Sequence, residues 1–484
     1  MNPYLLLLIL VPLLAAMLAL CLKRFAGLFA LFSVIYTAVS AAILYFSGPV
    51  NNLLLNKFGV ELVMDGLSGF LLVTANLVAL LVVVYSLAYL DKRDYQERFY
   101  ALFLVMLAGL NGLVLAAELG WLFIFLEVAA LAAYALVAFS WDKKQLEASI
   151  KYFVMGEVAS LFILFAIGIV FKLTGTLNLA EAGEILPVTN AYSRSLAVAF
   201  FIIGFGMKAA LVPFHSWLPD AHTAAPSPVS AMLSGVIIKA LGVYAIARIL
   251  FNVFGMTPQL SALLAALGVV SILVGGFLSV GQWDMKRLMA YSSISQIGYI
   301  ILGLGLATPL GIMGGLFHLF NHAFMKSLLF LNAGAVEKKT GSRDLRELGG
   351  LRQKMPVTAA TSLIGSLAIS GLPPFGGFWS KLFIIIACVQ AGKLWFALAA
   401  ILGSLLTMGS FLRMQKYAFF GRLKDKFAAI KEAPLAMSLA VIILALVCLG
   451  LGVFFPLVIS YVINPAVVTL ANGVGYSKLI LEVR

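Results

Sequence analysis

Hydrophobic positions along this 484-residue chain come in long runs, with no strict alternation. Apolar stretches of roughly 20 residues recur from one end to the other, the length a helix needs to cross about 30 Å of hydrocarbon. They predict spans at 3–22, 25–46, 66–90, 99–117, 119–140, 150–172, 195–224, 228–252, 258–281, 286–307, 310–336, 357–391, 393–417 and 435–462. The expected fold class is therefore an all-α integral membrane protein with about 14 transmembrane helices. The first run, "MNPYLLLLILVPLLAAMLALCLKR", has no basic segment before its apolar core, and Lys23 and Arg24 follow it. It reads as an uncleaved first helix, not a signal peptide.

Spans seven and twelve are too long for a straight crossing, and both contain prolines. "LVPFHSWLP" at 211–219 resembles "LPPFGGFWSK" at 372–381: an apolar residue, proline, phenylalanine, then tryptophan after a short gap, with a lysine close by. Pro213, Pro373 and Pro374 remove backbone donors, and Gly376 and Gly377 loosen the second site further, so both helices are predicted to break. The breaks lie five spans apart. Five is odd, so units offset by five spans cross the membrane in opposite senses. The expected organisation is three leading helices (1–98), an inverted five-helix repeat of spans 4–8 (99–252), its counterpart of spans 9–13 (258–417), and a loop, helix and tail (418–484). Inverted repeats with discontinuous helices place ion and substrate sites near the midplane. Unwound backbone at that depth survives only within protein or beside water.

Composition agrees with the pattern: 63% of residues are hydrophobic and 11% charged, against about half and a quarter in soluble domains. The net charge of +13 could suggest nucleic acid, but its distribution does not. With loops numbered by the spans, 22 Lys and Arg fall on one side, seven on the other and four inside spans. The positive-inside rule assigns the richer side to the cytoplasm. The chain is thus expected in the cell inner (plasma) membrane with both termini outside, its basic excess a topology signal.

The four lysines within spans, Lys208, Lys239, Lys326 and Lys381, would cost on the order of 10 kcal/mol if each stood alone at a helix centre. A carboxylate partner or a hydrated cavity reduces that cost. Glu127, about eight residues into span five, is the natural partner of Lys208; the plainer alternative is a static structural pair, which contributes little net stability. Lys239 has no acid within a helical turn and lies too deep for easy snorkelling. His318, His322 and Lys326 stand at successive i, i+4 steps on one face of span eleven, an arrangement suited to a proton relay. Two histidines on one face cannot clamp a haem iron from both sides, and a lysine beside them repels its charge. The remaining histidines, His215 and His222, belong to the first break. Together with Glu157 of span six they are possible channel-lining residues, Glu157 being equally readable as structural. Asp65, Asp284 and Asp344 lie near span ends, where solvated loop roles are expected.

Cys21, Cys388 and Cys448 are far apart, without the spacing of a zinc or iron–sulfur site. The chain contains no Walker A loop and no dinucleotide fingerprint opening a helix after a strand. No cofactor or metal is expected, and no catalytic residue in the usual sense.

"DGLSGF", "LFIFLEVAALAAY", "GFGMKAALVPFHSWLPDAHTAAPSPVSAMLSGVIIKALG", "DMKRLMAYSSISQIGY", "NHAFMKSLLFL" and "GLPPFGGFWSK" are spread over nearly the whole chain. On these motifs it resembles the antiporter-like membrane subunits shared by respiratory complex I (NADH:quinone oxidoreductase), Mrp-type sodium/proton antiporters and group 4 membrane-bound hydrogenases or formate hydrogenlyases. The resemblance implies fourteen helices and a proton route through Glu127–Lys208, Lys239, the His318/His322/Lys326 region and Lys381. It also implies partners: sister antiporter-like and small membrane subunits, with a peripheral redox arm or Mrp partners. The subunit itself would carry no redox cofactor. Lysine at 381, where some members have glutamate, looks like the complex I subunit next to the small membrane subunits, or comparable Mrp and hydrogenase subunits. The long lateral helix of the largest member is expected to be missing. The competing expectation is a stand-alone secondary transporter for a cation or small solute, which inverted repeats would also fit.

Overall fold

The computed structural model describes residues 3–48, 51–55, 60–90 and 95–475. Lys57, Lys92, Arg93, Lys478 and Arg484 of the charge tally, and the two termini, lie outside them. Among the described residues, eleven helices are long and apolar enough to cross a membrane, and they coincide with eleven of the fourteen predicted spans. The other three are the polar eleventh, a 32-residue helix over Pro309–Thr340, and the two predicted to break. Span seven is split into Ala191–Lys208 and Trp217–Ala224. Span twelve is split into Pro356–Ser370 and Gly376–Gln390.

Local sequence sets the helix ends. Asp65 accepts from the backbone of Leu67 and Ser68 while Ser68 closes the reciprocal bond, a capping box that starts Gly66–Tyr89. Thr257 and Thr308 cap the helices that follow them, each with proline in the first turn. Gly175 and Gly341 end their helices in the left-handed conformation.

The fold is all-α apart from one short ribbon, Asn51–Leu55 paired antiparallel with Val60–Met64 before span three. Two finer sequence expectations are corrected. Span fourteen stops at Val453, and a separate helix, Phe455–Ala471, fills what the hydrophobic pattern assigns to span end and tail. Its Pro465 carbonyl carbon and oxygen sit so close to Gly66 that a Cβ there would fall within 2.3–2.4 Å of them. Asp65 is not a solvated loop residue; it is buried in an ion pair with Arg248 at 2.7 Å. Asp284 and Asp344 do sit at loops, paired with Arg343 and Arg346. The hydrogen-bonded Arg346 guanidinium holds the Asp344 carboxyl below the usual carboxylate range.

Several basic residues meet at one end of the bundle. There Arg287 and Lys151 both pair with Asp220 (2.9 and 3.1 Å), and Arg343 reaches Asp284 and the carbonyl of Thr223. Lys286, the first residue of predicted span ten, is buried, donating to the Ala225 carbonyl at 2.7 Å and pairing with Glu337. The Asp65–Arg248 pair and a hydrogen bond from Asn178 to Glu61 mark the opposite end.

One set of bonds occurs twice. After span six, Thr174, Thr176 and Glu181 form a hydroxyl-and-carboxylate turn, and Leu179 N donates to Ala117 O. After span eleven the same bonds recur at Thr340, Ser342 and Glu347, with Leu345 N donating to Trp283 O. Every participant is displaced by 166 positions (174 to 340, 181 to 347, 117 to 283). The first turn lies beside Glu61 and the second at the basic end.

Candidate ion-translocation site

Both breaks are built alike. In the first, Leu211 N donates back to Gly206 O and Ala210 N to Met207 O; Ala210 has φ +55° and the Val212–Pro213 bond is cis. In the second, Leu372 N donates to Leu367 O and Gly371 N to Ala368 O; Gly371 has φ +82° and Pro373–Pro374 is cis. Here the displacement is 161 positions (206 to 367, 211 to 372). Gly376 and Gly377 are required by close approach more than by flexibility: a Cβ would fall 1.9 Å from the Asn321 side-chain oxygen and 1.9 Å from the Ala368 carbonyl, respectively.

Lys208 is the last residue of its half-helix, where the unpaired carbonyl end of the helix favours a cation. Its Nζ lies 3.3 Å from Glu127 Oε1 and 3.3 Å from the Tyr134 hydroxyl. Lys208 is 2% exposed at its side chain and Glu127 18%, so the pair is buried on the lysine side only. Ser160 donates a very short hydrogen bond to the same Glu127 oxygen. Glu157, one turn before Ser160, has a buried Oε1 with no hydrogen-bond partner and lies within electrostatic range of both Glu127 and Lys208.

Lys239 sits on the helix Ser227–Val253, much of which is wound with π geometry, including 233–237 and 239–244. Its ammonium bends back onto the Ser234 and Gly235 carbonyls of the preceding turn, at 2.5 and 2.6 Å. Wide windings of this kind recur at functional sites. One turn on, Gly242 abuts the break: a Cβ there would lie 2.5 Å from Ala209 N. This crossing brings the Lys239 helix against the residue that follows Lys208.

A second cluster forms around Pro309–Thr340. His318 is fixed at both ring nitrogens, Nδ1 by Ser380 at 2.9 Å and Nε2 by Gln296 at 3.2 Å. His322 is fully buried with neither nitrogen hydrogen-bonded, its ring 6.2 Å from that of His318. Lys239, Lys326 and Lys381 all lie within electrostatic range of it. Lys326 donates to Met289 O at 2.7 Å, and its Nζ stands 5.5 Å from the centre of the Phe411 ring. Lys381 donates to Ile369 O at 2.8 Å and Ser404 Oγ at 3.2 Å, with the Tyr299 ring 4.9 Å away. Carbonyls, hydroxyls and aromatic faces thus hold Lys326 and Lys381, where a carboxylate holds Lys208.

The sequence-predicted residues fall into two groups, Glu127, Glu157 and Lys208 in one, and Lys239, His318, His322, Lys326 and Lys381 in the other. His222 lies beside the second, buried, stacked on Phe330 at 4.8 Å and within range of Lys326, Lys286 and Lys239. His215 is partly exposed and joins neither. Sequence reasoning missed the neutral partners Tyr134, Ser160, Gln296, Tyr299, Ser380 and Ser404, whose residue types carry no signal of their own within apolar helices. At the basic end, a cleft of about 350 Å³ is lined by Lys151, Asp220, Arg287, Glu337 and Arg343 among others.

A sequence-family model described as "NADH:quinone oxidoreductase/Mrp antiporter, TM" matches residues 116–407, which include both groups and both breaks. The chain belongs to this family. A second model, described as the N-terminus of NADH-ubiquinone oxidoreductase (complex I) chain 5, matches residues 55–100. NADH-quinone oxidoreductase subunit N of Desulforudis audaxviator is 36% identical over 84% of this chain and 85% of its own length. An Na(+)/H(+) antiporter subunit of Alkalihalophilus pseudofirmus is 31% identical over 81% of this chain and 80% of its own. In the solved structures, a chain of the Mrp complex from Dietzia superimposes with a TM-score of 0.91 at 26% identity, covering 99% of both chains.

Proposed function

We propose that this chain is the proton-translocating membrane subunit of a multi-subunit pump or antiporter, and that the two side-chain groups form one route. The observation that carries the reading is the Glu127–Lys208 pair set at the broken end of a helix, with three further buried amines converging on an unbonded histidine. A lysine whose charge depends on one movable carboxylate is a switch. With Glu127 close, Lys208 holds its proton; with Glu127 drawn aside, burial disfavours the ammonium and the proton is released. A neighbouring subunit that changes charge would supply the displacement.

The proton then passes to Lys239 across the Gly242–Ala209 crossing, by transient water and hydroxyl groups. His322 takes it up from there, having both nitrogens free to accept and donate. His318, held by Ser380 beside Lys381, delivers it to the second break, and Lys381 releases it at the side opposite the basic cleft. Lys326 tunes His322 by its charge. Moving one charge against 100 mV costs about 2.3 kcal/mol, and a pKa swing of two units supplies about 2.7 kcal/mol, so the switch is strong enough.

The matching turns and matching breaks support inverted repeats over 99–252 and 258–417, flanked by 1–98 and 418–484. The concentration of basic residues at one end supports a cytoplasmic position for it, in the cell inner membrane, with the chain termini on the other side. The partners are sister membrane subunits and, where electron transfer is the drive, a peripheral redox arm.

The test is Lys208→Ala and Glu127→Ala in the assembled complex. Both should abolish coupled proton movement while co-purification of the partner subunits is unchanged; normal pumping in either refutes the route. Transport by the purified chain alone would favour a stand-alone carrier.

A further inference from the structure

The Lys208 site holds two carboxyl groups and one amine. Glu127 takes the lysine and the Ser160 hydroxyl on a single oxygen. Glu157 takes nothing on its buried Oε1, although it shares the field of both. If Lys208 is charged and Glu127 ionised, their charges cancel. Glu157 is half-buried with its Oε1 shut off from the surroundings, and a second ionised carboxyl in the same place would stand uncompensated beside Glu127. The titratable groups that face Glu157 are Glu127, Lys208 and Tyr134, with Tyr152 packed behind Tyr134. Among these, Lys208 is the only cation, and Glu127 already pairs with it.

The backbone beside Glu157 connects it to the lysine. Its neighbour Gly156 lies directly under the Tyr134 hydroxyl: a Cβ at 156 would fall 1.8 Å from that oxygen. The same hydroxyl is 3.3 Å from Lys208 Nζ. Ser160, whose hydroxyl also reaches the Gly156 carbonyl at 2.9 Å, closes the other side toward Glu127. The Tyr134 hydroxyl therefore touches Lys208 on one side and the backbone next to Glu157 on the other, with an O–H to give and lone pairs to receive.

Resting on the proton route proposed above, we propose that Glu157 is the proton store that reloads Lys208. In the resting state Glu157 is COOH, Glu127 is carboxylate and Lys208 is ammonium. When Glu127 moves away, Lys208 passes its proton toward Lys239 and becomes a neutral amine. Glu157 then gives its proton, across a transient water, to the Tyr134 oxygen as Tyr134 gives its own to Lys208. One proton has left the site, Lys208 is recharged, and the ionised Glu157 is its counter-charge until a proton from the basic-end cleft restores the acid. A purely structural Glu157 would need only its shape and hydrogen-bonding atoms, which glutamine reproduces.

The experiment compares Glu157→Gln, Tyr134→Phe and Glu127→Gln in the whole membrane complex reconstituted into liposomes. Proton movement is read by a pH-sensitive dye and the protonated carboxyl by infrared difference spectroscopy during turnover. The expected result is a pumping rate about tenfold or more lower in Glu157→Gln and in Tyr134→Phe, with loss of a carboxylic C=O band in Glu157→Gln only. Normal pumping and an unchanged band in Glu157→Gln, alongside a failing Glu127→Gln, overturn the store and leave the route standing. Normal pumping in Glu127→Gln overturns the route itself, and the store with it. Should Glu157→Gln fail to assemble, Glu157→Asp decides. It keeps the acid but draws it back by one methylene, so slower pumping with a displaced pH optimum supports the store and an unchanged profile overturns it.

Discussion

Lys381 Nζ donates to the carbonyl of Ile369, the residue 161 positions after Lys208 (208 to 369). The lysines come from different helix halves, one ending the first half and the other within the second, yet both reach the carbonyl end of a broken helix. Function there would rest on a removable proton, not on a fixed charge. Arginine keeps the charge and cannot give up its proton. Lys381→Arg should therefore leave assembly intact and lower pumping by about tenfold or more, measured in liposomes against wild type.

His322 and His318 should respond differently to substitution. His322 has two unbonded nitrogens, and His318 has both fixed by Ser380 and Gln296. His322→Asn should stop transfer between Lys239 and Lys381 almost completely. Ser380→Ala releases one nitrogen of His318 and should slow pumping by only severalfold. Equal effects in turnover measurements would contradict this ordering.

Asp65 and Arg248 are a buried ion pair that the route does not use. Removing one partner strands a charge, at a cost of about 3–5 kcal/mol. Arg248→Met should sharply lower the melting temperature of the detergent-purified complex. The double substitution Asp65→Leu with Arg248→Met should recover most of the loss, as judged by the same melting curve.

Gly242 is the point where the Lys239 helix meets the first break, its missing Cβ 2.5 Å from Ala209 N. Gly242→Val must push backbone apart, since the obstacle is not a movable side chain. Expected are a stability loss of about 1–3 kcal/mol and a pumping defect out of proportion to it. Pumping per assembled complex, normalised by immunoblot, separates the two.

Sequence alone reveals the spans, both breaks and the buried lysines Lys208, Lys239, Lys326 and Lys381, because a charge or proline inside an apolar run stands out against its surroundings. Arg248 and Lys286 read as loop charges because they fall near span ends, where sequence cannot tell a solvated side chain from one folded inward onto Asp65 or Ala225. The π winding around Lys239 leaves no mark in "SGVIIKALGVYAI", since a wider helix uses the same residues as an ordinary one. The Phe455–Ala471 helix merges into its neighbour because apolar character continues across the bend at Phe454. Ser160 and Tyr134 become visible only once helices distant in sequence are placed side by side.

Glu127 and Glu157 lie on a flank whose other members are Ile124, Leu131, Val154, Val158 and Leu161, all open to the surroundings. A surface of that make-up suits acyl tails everywhere except at its two acids. A copy alone in the bilayer would set those two partly open acids against acyl chains, which charged groups avoid.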